Sequence, residues 1–195
     1  VRSRGLGDVY KRQTFIGGFT FAGCTSLTSV VIPAGVTNID GGAFQNCNSL
    51  AEINVDENNT SYSSENGIVF NKDRTVLVQY PEGRNDISYS IPDTVTEIYA
   101  YAFYNCASLT SIDIPAGVTS IGDFAFYNCT SLTSIVIPDG VTTIGDYAFT
   151  GCTLLTSIVI PDSVINIDYG VFKGCASLTK ITCLLYTSPS PRDRT

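Results

Sequence analysis

The amino-acid sequence predicts a repeat solenoid, in which one short structural unit is stacked many times along an axis. The first observation behind this prediction is the spacing of cysteine, because the first six of the seven cysteines are separated by 23, 59, 23, 23 and 23 positions. The six positions are Cys24, Cys47, Cys106, Cys129, Cys152 and Cys175. A fixed period of this length is typical of repeat architectures, because each unit covers its apolar face with the next unit.

Two further residue types keep the same period around each cysteine. A phenylalanine precedes the cysteine by three positions in every copy, and a leucine follows it by three. The phenylalanines are Phe21, Phe44, Phe103, Phe126, Phe149 and Phe172. The leucines are Leu27, Leu50, Leu109, Leu132, Leu155 and Leu178. This agreement predicts that each side chain stacks on its counterpart in the next unit.

Each copy contains an apolar pattern that predicts a β-strand. Leu132, Ile135 and Ile137 show the spacing Leu-x-x-Ile-x-Ile, which turns their side chains to one side of the chain. Stacking of the copies then pairs the strands into a parallel sheet with about 4.8 Å between neighbours. Prolines follow the strands, where a missing N–H and a fixed φ end the pairing. These prolines are Pro33, Pro115, Pro138 and Pro161.

The rest of each copy predicts the opposite side of the solenoid. Residues 141–144 alternate in polarity like a second short strand, and residues 145–149 are expected to form a helical turn that packs Ala148 and Phe149 inward. The residue before each cysteine is only Gly or Asn, the two types that enter the left-handed region most readily, so a positive φ is expected there. These residues are Gly23, Asn46, Asn105, Asn128, Gly151 and Gly174.

The one long interval, between Cys47 and Cys106, contains an insertion, assigned to residues 56–90. Residues 56–66 are polar and are expected to form a loop, whereas residues 67–70 and 75–80 predict two strands around a tight turn. We interpret the segment as a β-hairpin that projects from the stack. The alternative is a degenerate copy whose second half, ending in Tyr-Pro-Glu-Gly at residues 80–83, rejoins the sheet as a unit of its own.

The repeated motif resembles the BspA-like leucine-rich repeats of bacterial and some protist surface proteins. The resemblance covers residues 14–182, including the irregular copy. It implies an extended surface or secreted protein that serves in adhesion and protein binding, with an extracellular or cell-surface location. No catalytic residues are associated with this repeat, so the resemblance implies an interaction scaffold.

The two ends of the chain are expected to lie outside the repeat domain. One stretch of DNA, read from opposite strands in shifted frames, can encode both residues 3–13 and residues 183–193. The stretch resembles a transposon-end adapter of sequencing libraries. We therefore interpret residues 1–13 and 183–195 as translated adapter DNA, and the chain as a fragment of a larger protein.

Composition argues against several functional classes. The chain has no histidine, which removes Ser-His-Asp and Cys-His nucleophile systems and the zinc sites that need an imidazole. A net charge of −7 argues against binding of nucleic acid or anionic lipid. No apolar run approaches the roughly 18 residues of a membrane span, so no membrane insertion is expected within the fragment.

The cysteines and acidic residues do not predict a metal site. One cysteine per unit cannot surround a metal ion tetrahedrally, and stacked cysteines keep their Cβ atoms farther apart than the ~3.8 Å of a disulfide. We therefore predict buried apolar thiols. Asp123, Asp146 and the pair Asp56 and Glu57 lack the spacing of a calcium loop and are interpreted as solvated turn residues. We expect no cofactor, metal ligand or catalytic residue.

Aromatic side chains form the candidate ligand-binding surface. Tyr101, Phe124 and Tyr147 stand before the inward alanine of three adjacent copies, and Tyr104 and Tyr127 follow the inward phenylalanine of two. Rings that point outward here would form an apolar, hydroxyl-bearing surface suited to a protein or sugar ligand. The alternative is that the rings lie flat over the turns and cover backbone.

The sequence thus predicts a non-catalytic adhesion or protein-interaction scaffold. Its expected partner is a protein, such as a host or neighbouring-cell surface protein, and no nucleic acid. A passive spacer that holds another domain away from the cell envelope is one alternative. A glycan-binding surface module is the other, and the oligomeric state is not predicted.

Overall fold

The structure is a computed structural model and describes residues 13–183. Most of the two segments interpreted as adapter sequence, residues 1–12 and 184–195, lies outside the described residues. The described chain folds into sixteen short β-strands, arranged as a solenoid of stacked units. The predicted fold class is therefore confirmed.

Seven strands form the front side of the solenoid. They are β2 (Ser29–Ile32), β4 (Glu52–Val55), β8 (Ser88–Ser90), β10 (Ser111–Asp113), β12 (Ser134–Ile135), β14 (Ser157–Ile160) and β16 (Lys180–Cys183). They pair in parallel, and equivalent residues of successive units lie side by side, as in the pairing of Ser111 with Ser134. The front side is divided into three hydrogen-bonded groups, which are β2–β4, β8–β10–β12 and β14–β16.

Six two-residue strands form the back side and confirm the predicted second strand. They are β1 (Phe15–Ile16), β3 (Asn38–Ile39), β9 (Glu97–Ile98), β11 (Ser120–Ile121), β13 (Thr143–Ile144) and β15 (Asn166–Ile167). The strands β9, β11, β13 and β15 pair in parallel in that order. Ile98, Ile121 and Ile144 are paired in register and buried, so the back side contributes one row of the core.

The insertion supplies three more strands. They are β5 (Tyr62–Glu65), β6 (Ile68–Asn71) and β7 (Val76–Gln79). The expectation of a loop throughout residues 56–66 is wrong, because residues 62–65 form the strand β5. Asn66 and Gly67 form the two-residue hairpin turn that follows it, with φ of 51° and 77°. Both central residues of this turn need a positive φ, which Asn and Gly tolerate best. The strand β5 therefore pairs antiparallel with β6.

The predicted hairpin is present, but it does not project from the stack. β6 pairs antiparallel with β7, and β7 pairs in parallel with β9 of the back side. Ile68, Phe70, Leu77 and Tyr80 are at most 2% exposed. Because both faces of the hairpin strands carry apolar residues, exposure of either face to water would be unfavourable, and the hairpin packs within the core.

The end of the insertion is also a degenerate unit, as the alternative interpretation stated. Tyr80 lies one repeat length before Phe103, and the two rings stack with centroids 5.1 Å apart. The Cys106 thiol, in turn, points at the carbonyl oxygen of Tyr80, 3.9 Å away. Hairpin and degenerate unit are therefore two parts of one insertion.

The core is a set of side-chain rows that run along the solenoid axis. The rings of Phe103 and Phe126 stack at 5.1 Å, and those of Phe126 and Phe149 at the same distance with only 6° between their planes. All three phenylalanines are fully buried, as are Leu132 and Leu155 in the next row. Offset-stacked rings at this distance add to the hydrophobic gain of burial.

The segment before each cysteine is a sequence of tight turns, and the predicted helical turn is wrong. Tyr147 has a φ of 55°, which no right-handed helical residue adopts. The change of direction still turns Ala148 and Phe149 inward, and both are fully buried. The predicted positive φ before the cysteine is confirmed in all six copies, at 55–76°.

The interior cysteines are free thiols, as predicted. Cys47, Cys106, Cys129 and Cys152 are buried, whereas Cys24 of the first unit is exposed. The Cys129 thiol donates to the carbonyl oxygen of the phenylalanine one unit back, with a sulfur–oxygen distance of 3.1 Å. Burial raises the pKa of Cys47 to about 11 and that of Cys129 to about 12, so these thiols remain protonated.

Gly83 lets the degenerate unit approach the preceding one. Its N–H donates to the carbonyl oxygen of Leu50 at 2.8 Å. A Cβ atom on Gly83 would lie 2.4 Å from the carbonyl carbon of Ser49, which is too close for any real contact. Only a residue without a side chain therefore allows the insertion to pack this closely against the first two units.

We predict that Phe126→Ala lowers the free energy of unfolding by about 3–5 kcal/mol, because it leaves a cavity between two stacked rings. Urea denaturation followed by circular dichroism measures this change. Val136→Ala, at a side chain that is 76% exposed, is the control and should change stability by less than about 0.5 kcal/mol. Equal effects of the two substitutions would contradict the stacked core.

We predict that Gly83→Ala destabilises the fold far more than Gly117→Ala. At Gly117 the nearest atom to an added Cβ is 3.6 Å away, which is an ordinary contact. Thermal melting of both variants gives the comparison. A Gly83→Ala variant with the parent melting temperature would show that the contact with Ser49 can relax freely.

Candidate functional site

The structure brings the five candidate aromatic residues together on one surface, here called the aromatic strip. Tyr101, Phe124 and Tyr147 form its first row, with ring centroids 4.8 and 5.0 Å apart and nearly parallel planes. Tyr104 and Tyr127 form the second row, with centroids 4.9 Å apart. Tilted contacts of 5.5 and 5.7 Å join the rows. The strip therefore spans three consecutive units.

Exposure differs along the strip. Tyr104 is 8% exposed, so its ring mainly supports Tyr127. Tyr101, Phe124, Tyr127 and Tyr147 keep a larger accessible fraction. Because each ring stacks face to face on its neighbour, the accessible parts of the row are mostly ring edges. The rings thus cover the turns and also present a continuous surface.

The first row occupies a backbone position that favours glycine. Tyr101, Phe124 and Tyr147 have φ values of 63°, 54° and 55°. Gly42 and Gly170 hold the same position in other units, with φ of 74° and 67°, and Phe19 holds it in the first unit, with φ of 62°. A non-glycine residue with positive φ costs about 1 kcal/mol or more, and such strain is concentrated at functional sites.

The glycine at position 170 also follows from the strip. A Cβ atom on Gly170 would lie 2.8 Å from the ring of Tyr147, so the ring leans over the next unit. Tyr169 meets the same ring edge-on, with centroids 5.3 Å apart. The ring of Tyr147 therefore extends the aromatic surface over the next unit, where it covers Gly170.

A buried carboxylate that the repeat motif does not predict lies beside the insertion. Glu82 is 8% exposed and lines a polar cleft of about 340 Å³ together with Asn105 and Asn128. Its Oε1 accepts a hydrogen bond from the N–H of Asn46 at 2.8 Å. Its Oε2 has no hydrogen-bond partner within residues 13–183. The signal in the sequence is that Glu82 stands one repeat length before Asn105, in the column of Gly and Asn.

Burial governs the charge of Glu82. It raises the pKa of the carboxyl to about 7, and the hydrogen bond from Asn46 lowers it only in part. The Asn105 amide donates to the Asn46 amide oxygen at 2.8 Å, and the Asn128 amide donates to that of Asn105 at the same distance. This amide row therefore bridges the units on either side of the degenerate one.

The described part of the chain offers neither a metal cluster nor a membrane span. Within residues 13–183, no group of three or more Cys, Asp and Glu side chains is placed to hold a metal ion. The same residues contain no helix long and apolar enough to cross a membrane.

Comparison with known proteins places this architecture in a family. The profile described as "BspA type Leucine rich repeat region" matches residues 9–73 and 82–186 in six copies. The chain belongs to this BspA-type leucine-rich repeat family. The unmatched residues 74–81 include β7, so the family pattern is lost where the hairpin joins the back side.

Solved structures of bacterial leucine-rich repeat proteins share the fold. A leucine-rich cell surface protein of Faecalibacterium prausnitzii is 31% identical, with a TM-score of 0.78 over 90% of this chain and 52% of that one. The pneumococcal vaccine antigen PcpA is 32% identical, with a TM-score of 0.77 over 80% of this chain and 39% of that one. A leucine-rich repeat protein of Eubacterium ventriosum is 31% identical, with a TM-score of 0.70 over 80% and 49%.

The chain spans about half or less of the length of these structures. No curated protein matches it.

We predict that this BspA-type module loses stability as the pH rises from 5 to 8. The pKa of Glu82 is raised from 4.5 to about 7 on folding, so its contribution is complete below pH 4.5 and is lost as the pH rises through about 7. The loss is at most about 3 kcal/mol. Glu82→Gln, which cannot ionise, should flatten the dependence in urea denaturation at pH 5, 6, 7 and 8.

The exposed Glu57 supplies the matched control for this prediction. Glu57→Gln should retain the parent pH dependence. The chain has no histidine, whose ordinary pKa falls in the same range, so few other groups contribute there. A Glu82→Gln variant with an unchanged slope would show that the carboxyl is neutral or hydrated at every pH tested.

Proposed function

We propose that the chain is a non-catalytic interaction module of a surface or secreted bacterial protein, and that it binds a protein partner through the aromatic strip. The observation that carries this proposal is the conformation of Tyr101, Phe124 and Tyr147. Each large ring stands at a positive-φ position where two other units hold glycine and the first unit holds Phe19. The fold does not require a ring here, because glycine fills the position in Gly42 and Gly170 without strain.

Stacking within the strip offsets part of the strain and has to be weighed against a functional role. An aromatic pair adds about 0.5–1.5 kcal/mol beyond burial, which is similar to the cost of one positive φ. These two terms nearly cancel, and burial of part of each ring adds a further stabilising term. What the rings add is a partly exposed aromatic surface, and aromatic side chains are enriched where proteins bind one another.

The geometry favours a protein ligand over a glycan. A sugar ring packs its C–H groups on an open aromatic face, whereas the faces in the first row are stacked on one another at 4.8 and 5.0 Å. Ring edges and tyrosine hydroxyls suit the mixed polar and apolar surface of a protein. Glycan binding is therefore the secondary candidate.

The family and its solved members support a surface location. One structural relative is described as a leucine-rich cell surface protein. A module of a longer extracellular protein is consistent with the extended repeat, which offers a large surface. A passive spacer is the competing function, and it predicts no binding at all.

A binding screen with two matched variants tests the proposal. The immobilised module is probed with purified extracellular-matrix proteins, and a chain of reversed sequence serves as the background. Replacing Tyr101, Phe124 and Tyr147 by glycine should reduce any specific binding at least tenfold. The variant should remain folded with a lowered melting temperature, because lost stacking and burial outweigh the relieved strain, so binding is compared well below that temperature.

The matched control replaces three exposed valines of the front side, Val31, Val136 and Val159, by serine. This variant should bind like the parent protein. Loss of binding in the valine variant alone would place the site on the front side. Absence of specific binding to the whole panel and to a glycan array would favour the spacer.

A further inference from the structure

The front side of the solenoid is interrupted beside the insertion. The strand β8 pairs with β10 on one edge and is the last strand of its three-stranded group. The preceding front strand, β4, meets the hairpin turn instead, because the N–H of Ile53 donates to the carbonyl oxygen of Gly67 at 2.9 Å. A regular solenoid would continue the sheet at this point, so β8 keeps an open edge among the described strands.

The open edge carries backbone hydrogen-bonding groups. The carbonyl oxygen of Ile87 accepts from the N–H of Thr110 at 2.7 Å, and the N–H of Ile91 donates to the carbonyl oxygen of Asp113 at 3.0 Å. Alternate residues of a parallel strand face opposite edges. The N–H and C=O groups of residues 88 and 90 therefore face away from β10, and both serines are exposed.

A cleft of about 530 Å³ lies along this edge. Residues 88–90 line one wall, and Glu65, Asn66 and Ile68 of the hairpin line the other. The Arg84 guanidinium, which also borders the cleft, donates to the carbonyl oxygen of Asn66 at 2.7 Å. The hairpin tip is thus held opposite β8.

The charges around the cleft are paired. Arg84 Nε lies 2.6 Å from Asp86 Oδ2, and Arg74 forms an ion pair with Glu65. Pro92 and the half-buried ring of Tyr89 supply apolar surface in the cleft. A charged ligand would have to break an ion pair, whereas an uncharged one would not.

We propose that this cleft binds an extended, uncharged segment of a partner protein, which adds to β8 as a further strand. An extended chain is the ligand that matches free N–H and C=O groups at a spacing of two residues, and the main-chain bonds supply affinity in this mode of recognition. One apolar side chain of the segment packs against Pro92 and Tyr89. The site is separate from the aromatic strip, so peptide binding here does not depend on ligand binding at the strip.

The probe is a synthetic peptide, Leu-Thr-Ser-Ile-Val-Ile-Pro, with a short polyethylene glycol tail for solubility. This sequence occurs at residues 132–138 and 155–161, so it is one that pairs within the front side of this protein. Amide hydrogen exchange measured by NMR is the readout. The Ser88 and Ser90 amides should exchange fast in the free protein and at least tenfold more slowly with peptide, whereas the Tyr89 amide should be protected throughout.

Variants at one position separate a backbone contact from a side-chain contact. Ser88→Pro removes the free N–H at the edge without breaking a bond to β10, and it should weaken peptide binding about tenfold. Ser88→Ala keeps the N–H and should bind like the parent protein. Binding should also change little between low and high salt, because the cleft holds paired charges.

Two outcomes would overturn the proposal. One is the absence of protection at Ser88 and Ser90 at millimolar peptide. The other is protection that appears on the aromatic strip and disappears in its triple glycine variant. The exchange experiment on the parent protein tests the proposal even if Ser88→Pro does not fold.

Discussion

The stacking of like residues at a fixed period is the constraint on which the rest of the structure depends. Phe103, Phe126 and Phe149 can lie 5.1 Å apart only if each unit repeats the backbone path of the one before it. That path also brings the thiol of Cys129 to the carbonyl oxygen of Phe103, and places a left-handed residue before each cysteine. A substitution at one position therefore affects both neighbouring units, because each side chain packs against its counterparts in the units before and after it.

The insertion shows how this constraint tolerates an exception. The hairpin satisfies its own backbone through β5, β6 and β7, then returns to the period at Tyr80, whose ring takes the place of the missing phenylalanine. Two costs remain where the fit is imperfect. Glu82 is buried with one oxygen unpartnered among the described residues, and Gly83 leaves no room for a side chain. Both lie where the degenerate unit meets the first two, so the joint between the insertion and the solenoid is the least satisfied part of the core.

Much of this fold can be predicted from the sequence, because periodicity converts a one-dimensional pattern into a stack. The rows of phenylalanine, leucine and cysteine, and the positive φ at Asn105 and Asn128, follow from residue type and interval alone. The predicted helical turn is wrong for a local reason. Tyr147 is a poor candidate for a left-handed conformation, and only the glycines of two other units, Gly42 and Gly170, indicate that the position adopts it. The strand at residues 62–65 escapes prediction because its polar composition outweighs the Asn-Gly turn signal.

The candidate surfaces lie where the period is broken, and this follows from the physics of a stacked repeat. A residue that repeats in every unit is explained by its contact with its own copies, so it carries no information about a ligand. Tyr101, Phe124 and Tyr147 form a row of three consecutive rings that ends at Gly170, and the open edge of β8 exists only because the hairpin replaces one strand. The five ring positions are visible in the sequence, whereas the strand edge is not. An edge is a property of which strands fail to pair, and that depends on where the inserted chain folds back.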